Sequence, residues 1–443
     1  MKNLILLALA APLLAQDALS LRDAVQLALR QNKAITATNA GTEASSARIE
    51  EAWAGWLPKV NYSESFTRSD NPVFVFSSLL MQHQFGAENF SLGPLNRPDS
   101  MNNFQSVLSI DQPLYDAGQT RDAVQSAGLS RQISVEEHRR TQMQVIASVT
   151  RAYYGAVLVA ESLKTAEQAL RSAEADLKRA ESVHAAGMST NVDVLSIRVH
   201  LAAVTEQRIS RAAELDVAQS TLNDALGLPL DDRHTLIGAL TPLDLPDLEL
   251  TALEREASST RPEARAIHLE ALMAKTHAES ARSALLPQVG FHASVEADRQ
   301  QFVTKGGANW LASIGLRWNL FNGNSDKARI EESTHSLERA RADEQRVESA
   351  VRLEVRRAWA DLRAARQRIE VAKAAVAEAE ESLRITQNRY ETGMSNVTDL
   401  LRNETAVLES RTRYLAAVHD ERIAATMLEL AAGRLSPDSE ALN

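Results

Sequence analysis

Apolar residues recur every seven positions along two long stretches of the chain. In the second stretch a ladder of mostly large residues runs from Val355 to Tyr390, and a ladder of small residues runs beside it from Val351 to Ala379. The same phase appears 206 residues earlier, from Val145 to His184. Because small residues let helix backbones approach closely, the pattern predicts paired coiled-coil helices. Residues 119–185 contain no proline, so the first helix is predicted to run about 100 Å without a break.

Four shorter stretches alternate between apolar and polar residues, which is the pattern of strands. The last of them has on one face Trp310, Ala312, Ile314, Leu316, Trp318 and Leu320. Its neighbour has on one face Val289, Phe291, Ala293, Val295 and Ala297. The earlier pair alternates less regularly, around Val60, Tyr62 and Phe66 and around Phe104, Leu108 and Ile110. Each stretch has about ten to twelve residues, the length of a tilted strand that crosses a bilayer.

Aromatic residues indicate which face of the last strand meets lipid. Two tryptophans bracket its apolar band, as the aromatic girdles of membrane barrels do. The pattern therefore predicts a lipid-facing strand surface made of Trp310, Ile314, Leu316 and Trp318. The alternative is a pair of amphipathic hairpins that cover a soluble core.

The chain is an internal duplication. Residues 114–117 (Leu-Tyr-Asp-Ala) match residues 320–323 (Leu-Phe-Asn-Gly), and residues 186–189 (Ala-Gly-Met-Ser) match residues 392–395 (Thr-Gly-Met-Ser). Both pairs are 206 residues apart, and a chance similarity would not keep one register over such a length. The Leu-Pro motifs upstream are instead 229 residues apart, so the first copy has about 23 extra residues between its two strands.

The duplication predicts the domain organisation. After a signal peptide at 1–15, the first repeat covers 16–227 and the second 251–435. A proline-rich linker at 228–250 joins them, and a tail follows at 436–443. The helices expected beside the long ones lie at 21–55, 191–226, 262–285 and 396–432.

Residues 1–15 have the features of a secretory signal. Lys2 precedes an apolar run from Leu4 to Leu14, and the small Ala15 precedes a polar sequence. A buried N-terminal helix is the alternative interpretation. No later stretch consists of 18 apolar residues, so no membrane-spanning helix is predicted, and any crossing of a membrane must use strands.

Composition argues against several kinds of function. The formal charge is −10 with both signs interleaved, which offers no basic stripe to a nucleic acid. Cysteine is absent, so thiolate metal sites and a cysteine nucleophile are excluded. The motifs of phosphate loops, zinc proteases and serine hydrolases are missing, so we expect neither an enzyme nor a cofactor. Asp231, Asp232 and His234 lack a further spaced ligand, which favours a solvated loop over a metal site.

The order of these features resembles the TolC family of outer-membrane efflux proteins. The order is helix, Leu-Pro-strand, strand, Leu-Tyr-Asp-Ala-Gly, long helix, Ala-Gly-Met-Ser-x-x-x-Asp and helix, and it occurs twice after the signal peptide. The resemblance covers nearly the whole mature chain. It implies a mostly α fold with a small β part, in which three protomers share a 12-stranded β-barrel continued by a helical tunnel through the periplasm. Independently, four strands cannot close a barrel, because the smallest barrels have about eight.

The resemblance also implies functional residues near the two turns. Family members narrow the tunnel with carboxylates just after the helix turn, and Asp399 matches such a position, with Asp193 as its repeat partner. The family's second aspartate is replaced by Arg402, which predicts an ion pair instead of a double ring. Helix N-capping is the alternative role for both aspartates. The turns themselves match the family's contact with its periplasmic adaptor, at Gly187, Met188, Gly393 and Met394.

Residues 69–102 carry the extra length of the first repeat and are expected to form an external loop. Its apolar cluster contains Phe74, Phe76, Leu79 and Leu80. Two interpretations remain open: the cluster folds over the mouth of the barrel, or it is a packed loop without a role in transport.

The function expected from the resemblance is an outer-membrane exit duct of a tripartite efflux or type I secretion system. Its partners would be a periplasmic adaptor and an inner-membrane pump or ABC exporter. The protein would lie in the outer membrane and extend into the periplasm. The alternative is a periplasmic coiled-coil scaffold or adaptor, which would share the heptads and the signal peptide. A scaffold would not need four strands with a lipid-facing side.

Overall fold

The computed structural model describes residues 18–442 except 239, 245, 247 and 248. The predicted signal peptide therefore lies outside the described residues. In chain order the elements are β1 (Ala18–Leu19), α1 (Leu21–Gln31), α2 (Lys33–Trp53), β2 (Lys59–Ser69), α3 (Pro72–Met81), α4 (Leu92–Asn96), β3 (Met101–Tyr115), α5 (Gln119–Ala185), α6 (Asn191–Leu226), β4 (Thr235–Leu236), α7 (Leu250–Thr260), α8 (Pro262–Ser283), β5 (Gln288–Arg299), β6 (Gly306–Arg317), α9 (Ser325–Glu391) and α10 (Val397–Ala431).

The long helices predicted from the heptads are confirmed. α5 and α9 each contain 67 residues and begin and end 206 residues apart. The duplication reaches further upstream than the sequence motifs, because α1 and α7 each have 11 residues and begin 229 residues apart. α7 lies beside the prolines of the linker, which obscured its helical pattern.

The chain divides into two compact units that do not coincide with its two repeats. The first unit contains the described part of Met1–Gly41 together with Val135–Ala266 and Glu344–Asn443. The second contains Thr42–Ser134 and Ile267–Asp343. Each unit draws segments from both repeats, so each is built from matching elements of the duplication.

The first unit has an apolar core built from the heptad ladders. Val149 and Val355, which occupy equivalent ladder positions, are both fully buried, as is Ala365 of the small ladder. The main cluster contains Val149 together with the buried Tyr153 and Leu222, and a second cluster contains Val355. Burying each large side chain contributes about 1.5–3 kcal/mol, so the buried ladder residues stabilise this unit together with the other residues of the two clusters.

α5 contains an 18-residue window that is apolar enough, by length and composition, to cross a membrane. The sequence pattern led us to expect no such helix. However, 56% of the window is buried inside the protein, and α5 supplies Ile146, Val149 and Tyr153 to the main core. The apolar stretch is therefore that of a core helix.

The second unit contains an antiparallel sheet in the order β2-β3-β5-β6. Strands β2 and β3 pair without interruption from Lys59↔Asp111 to Ser69↔Met101, and β5 pairs with β6 from Gln288↔Arg317 to Arg299↔Gly306. One irregularity interrupts β3 between Pro113 and Tyr115, where proline lacks the N–H that a ladder needs. The four predicted strands are thus confirmed, and β2 and β6 are the open edges of the sheet.

Two boundaries differ from the expectations. The helix predicted at 21–55 is broken at Asn32, whose side chain donates a hydrogen bond to the Ala225 carbonyl and accepts one from the Ala34 N–H. Strand β6 ends at Arg317, whereas the alternation suggested continuation through Trp318 and Leu320. The Trp318 indole instead donates to the Leu285 carbonyl at 3.0 Å.

The external loop expected at 69–102 contains helical structure. Asn71 caps α3 by accepting from the N–H groups of Val73 and Phe74, and Pro72 occupies the first turn, where its missing N–H has no cost. Three phenylalanines pack edge to face nearby, with ring centroids 4.8 Å apart for Phe76 and Phe85 and 5.1 Å apart for Phe85 and Phe90. The segment is therefore a folded element rather than a plain loop.

Candidate functional site

The two turns that follow the long helices have the same backbone geometry. At the first turn the Met188 N–H donates to the Val183 carbonyl and the Gly187 N–H to the His184 carbonyl. At the second turn Met394 and Gly393 make the equivalent bonds. Both glycines adopt the left-handed conformation, with φ of 73° and 74°. These bonds form the Schellman motif, in which a residue without Cβ ends the helix.

The methionines of these turns are exposed. Met188 is 74% exposed and Met394 65% exposed. A methionine side chain is flexible and polarisable, so it adapts to irregular apolar partners. The two turns therefore present matching apolar tips at equivalent positions of the repeats.

The aspartates after the turns have different surroundings. Asp193 forms a capping box with Thr190: its N–H donates to the threonine hydroxyl, and its carboxylate accepts from the threonine N–H at 3.1 Å. The N-cap of α10 is Asn396, whose side chain accepts from the Asp399 N–H at 2.8 Å. The Asp399 carboxylate receives only a long hydrogen bond from Ser395, at 3.4 Å. The Asp399 carboxylate is therefore less engaged in hydrogen bonds at the start of its helix than the Asp193 carboxylate.

Arg402 lies one turn further along α10. Its Nη1 is 4.0 Å from Asp399 Oδ1, and the two side chains are 75% and 46% exposed. An exposed pair at this distance contributes about 1 kcal/mol or less. The arginine thus only partly compensates the negative charge of Asp399.

A buried ionisable cluster, which the sequence patterns did not indicate, lies behind the turns. His200 Nε2 on α6 is 3.3 Å from Glu404 Oε2 on α10. Glu404 also shares a hydrogen bond with Asp176 of α5, and Asp176 is only 6% exposed. The cluster therefore joins helices of both repeats.

Burial and the neighbouring carboxylate hold a proton in this cluster. Burial first, then the hydrogen bond and charge of Glu404, raise the pKa of the Asp176 carboxyl to about 7, against the opposing effect of Arg179 and His200. Burial also acts to raise the pKa of Glu404, but hydrogen bonds with His200 and Asp176 lower it below its usual value. Below about pH 7 the pair thus holds a proton, mainly on Asp176, while Glu404 keeps its negative charge.

A small apolar cluster packs beside these charges. Ala180, Val194, Ile197 and Val397 are buried, and Tyr390 packs against them. Arg179 of α5 and Glu391 of α9 form an ion pair 2.5 Å long nearby. Helices α5, α6, α9 and α10 are therefore held together near the turns by both apolar and charged contacts.

The sheet has one apolar and one polar face. Trp310, Ile314 and Leu316 are 80%, 71% and 66% exposed in the protomer. They alternate along β6 with Asn309, Ser313 and Gly315, which lie on the other face. Trp318, predicted as part of the same surface, lies one residue beyond the strand and is still half exposed.

No group of three or more His, Cys, Asp or Glu residues suited to a metal ion occurs among the described residues. Chemically, the features near the turns are exposed methionines, a partly compensated carboxylate and a buried proton-sharing pair. Such features suit contact with other proteins and the attraction of ions.

Solved structures share this fold over almost the whole chain. A membrane protein from Pseudomonas aeruginosa matches with a TM-score of 0.80 and 20% identity, over 93% of this chain and 92% of that one. The CmeC outer membrane channel of Campylobacter jejuni matches with a TM-score of 0.79 and 16% identity, over 95% and 87%. The expected TolC-like fold is thereby confirmed.

Three characterised relatives also match most of the chain. Protein CyaE of Bordetella pertussis is 29% identical, over 95% of this chain and 85% of its own length. The outer membrane efflux protein BepC of Brucella suis is 23% identical, over 91% and 88%. The alkaline protease secretion protein AprF of Pseudomonas aeruginosa is 24% identical, over 96% and 86%.

The model of the family described as outer membrane efflux protein matches residues 24–228 and 253–434. Family and fold are those of channel proteins and not of enzymes. The alternative of a periplasmic scaffold does not account for these matches. The chain therefore belongs to the outer membrane efflux protein family, as an outer-membrane channel of efflux or type I secretion systems that extends into the periplasm.

Proposed function

We propose that three copies of this chain form one twelve-stranded barrel and serve as a passive exit duct. The observation that carries this proposal is the four-stranded sheet with open edges at β2 and β6. Edge strands expose unpaired N–H and C=O groups, which cannot remain unpaired in lipid. Three copies bring the strand number to twelve, within the range of closed barrels.

The duct works with a periplasmic adaptor that binds the two turns. Equivalent Schellman turns at Gly187 and Gly393, each followed by an exposed methionine, support this proposal. Matching turns would give the adaptor similar contacts on both repeats. An inner-membrane pump or ABC exporter delivers the cargo to this end of the duct, as the efflux and secretion names of the relatives suggest.

A ring of three Asp399 carboxylates, one from each copy, restricts passage near the turns. The long hydrogen bond from Ser395 and the partial compensation by Arg402 support this role, because they leave the carboxylate available to ions. Asp193, which is held in its capping box, contributes less to the gate.

Mass measurement of the purified protein in detergent tests the assembly. A trimer is expected, with a predominantly helical circular dichroism spectrum. A stable monomer would overturn the proposal, since one sheet cannot close a barrel.

Single substitutions Met188→Cys and Met394→Cys test the contact with the adaptor, since the natural chain contains no cysteine. A thiol crosslinker in cells should join each variant to the adaptor. A cysteine at the exposed Val371 of α9, 22 residues before Gly393, serves as the control and should not crosslink. Equal crosslinking at all three positions would show that the turns are not the docking surface.

The names of the relatives refer to two transport functions, efflux and protease secretion. One deletion strain separates them. Loss of a polypeptide from the culture medium identifies a secretion channel, and increased sensitivity to small toxic compounds identifies an efflux channel. A strain with neither change would contradict the proposed duct.

A further inference from the structure

The segment between β2 and β3 differs from the matching hairpin of the second repeat. There β5 and β6 are joined by six residues, 300–305, whereas here residues 70–100 contain α3 and α4. We call residues 70–100 the external segment. Its α3 packs against β3, β5 and β6 of the sheet, so the segment folds back over the sheet and does not simply connect two strands.

The external segment is attached to the polar face of the sheet. Gln82, which is 1% exposed, donates from Nε2 to Asn103 Oδ1 at 2.8 Å and to the Asn102 carbonyl at 3.0 Å. Asn103 in turn donates to Asp298 Oδ1 at 2.6 Å, and Asp298 is fully buried. Breaking such a buried chain leaves polar groups without partners, so the attachment is specific.

Contacts with β6 identify the same face. Asn309 donates from Nδ2 to the Met81 carbonyl at 3.1 Å, and its Oδ1 lies 3.3 Å from His83 Nε2. Successive residues of a strand point to opposite faces. Since Trp310 lies on the predicted lipid face, Asn309 and the external segment lie on the face that would line the barrel interior.

The composition of the segment does not suit a water-filled lumen. Between Asn71 and Asn96 its only charged residue is Glu88. Val73, Phe90 and Leu92 are 75%, 66% and 79% exposed in the protomer. Exposed apolar side chains concentrated in one segment are typical of a surface that meets a partner. On the inner face of a closed barrel, the available partner is the same segment of the other copies.

We propose that the external segments of three copies meet inside the outer end of the barrel and narrow the exit. This inference rests on the proposed trimer. Symmetry brings three identical apolar surfaces around one axis, where they cover one another. The exit then opens when cargo displaces the segments from the sheet, and the polar attachment guides their return.

Access to a cysteine inside the barrel tests this constriction independently of the periplasmic gate. Ser313 lies on the polar face of β6, and the chain has no natural cysteine. Cells carrying Ser313→Cys are treated from outside with a small charged maleimide or a bulky polymer maleimide. The bulky reagent should react about tenfold or more slowly, because minor open states are typically about 0.1–10% populated. Thr304→Cys in the outer hairpin turn is the control and should react with both reagents at similar rates.

Two variants on the Ser313→Cys background assign the effect to the external segment. Deleting residues 72–98 should remove the difference between the reagents. Gln82→Ala with Asn103→Ala, which removes the polar attachment, should reduce the difference while leaving the segment present. Trimer mass is checked for each protein, and a Ser313→Cys protein that keeps its external segment but is not a trimer would count against the proposed assembly. Intact trimers in which both reagents already react equally without these changes would overturn the constriction.

Discussion

Arg402 Nη1 lies 4.0 Å from Asp399 Oδ1, one helical turn along α10. This separation predicts opposite effects of removing the two side chains. Three Asp399 carboxylates around one axis attract cations, and each arginine weakens that attraction. Asp399→Ala should reduce block by divalent or polycationic compounds in planar bilayers. Arg402→Ala should strengthen it by up to about fivefold, which corresponds to about 1 kcal/mol.

The pair Glu409 and Arg413 on the same helix provides a matched control. Their side chains are 2.8 Å apart and exposed to a similar degree, but they lie further from the turn. Glu409→Ala should leave block unchanged. If Asp399→Ala also leaves conductance and block unchanged in intact trimers, the carboxylate only supports the start of α10.

The exposed apolar face of β6 predicts that a charged residue on this face destabilises the inserted protein, whereas one on the polar face does not. Ile314 lies near the middle of the strand, so Ile314→Arg should destabilise the inserted protein by about 2–4 kcal/mol if this face meets the centre of the bilayer. Ser313→Arg, one residue away on the polar face, should be tolerated. Urea titration of refolding into lipid vesicles measures both. Equal tolerance would indicate that the hairpins do not contact lipid.

Sequence periodicity located the long elements because their burial repeats with the helix. The proline-free stretch 119–185 matches the bounds of α5, and the heptad ladders located α9. Ladder residues such as Val149 and Val355 are buried, each in its own apolar cluster. The turns were equally visible, because Gly187 and Gly393 adopt a conformation that disfavours side chains. Both signals are local in sequence.

Features that depend on distant partners were missed or only partly found. The break at Asn32 is stabilised by a bond to the Ala225 carbonyl, which no local pattern reveals. The cluster of Asp176, His200 and Glu404 joins residues far apart in the chain and has no regular spacing. The helical start of α3 did have a local signal, an Asn-Pro pair before an apolar run. The extra length of the first repeat at this point nevertheless favoured a loop over a helix.

The buried hydroxyl of Tyr153 is expected to stabilise the fold by binding two chain segments that cover the main core. This hydroxyl lies 2.9 Å from the Leu19 carbonyl and within hydrogen-bonding distance of the Ile237 carbonyl. Burial chiefly raises the pKa of this phenol to about 12, so the group remains a donor at physiological pH. Tyr153→Phe leaves the buried carbonyls without this partner and should lower the free energy of unfolding by about 1–3 kcal/mol.

Denaturant titration followed by tryptophan fluorescence measures this loss. Tyr115→Phe removes the same hydroxyl from a half-exposed side chain and should change stability by less than about 0.5 kcal/mol. Equal stability of the two variants would show that the Tyr153 hydroxyl does not hold Leu19 and Ile237 in place.

The buried pair of Asp176 and Glu404 predicts that stability falls as the pH rises toward 7. In the unfolded chain Asp176 has an ordinary pKa near 3.8, whereas in the folded protein its pKa is about 7. Between these values the folded state binds the extra proton, so raising the pH costs stability, and the loss is complete above about pH 7. Arg179 and His200 lie beside the pair and oppose the rise of the Asp176 pKa without reversing its direction. Tyr390 also faces Asp176.

The variant Asp176→Asn isolates the contribution of Asp176 to the pH dependence of stability. The amide can still donate to Glu404, as the protonated acid does, but it cannot ionise. Thermal melts of the trimer between pH 5 and pH 8 should therefore show a smaller decline for the variant, with a higher midpoint than the natural protein at pH 8. Glu174→Gln, which neutralises an exposed carboxylate two residues away, should retain the natural profile. An unchanged profile in Asp176→Asn would mean that other groups determine the pH dependence.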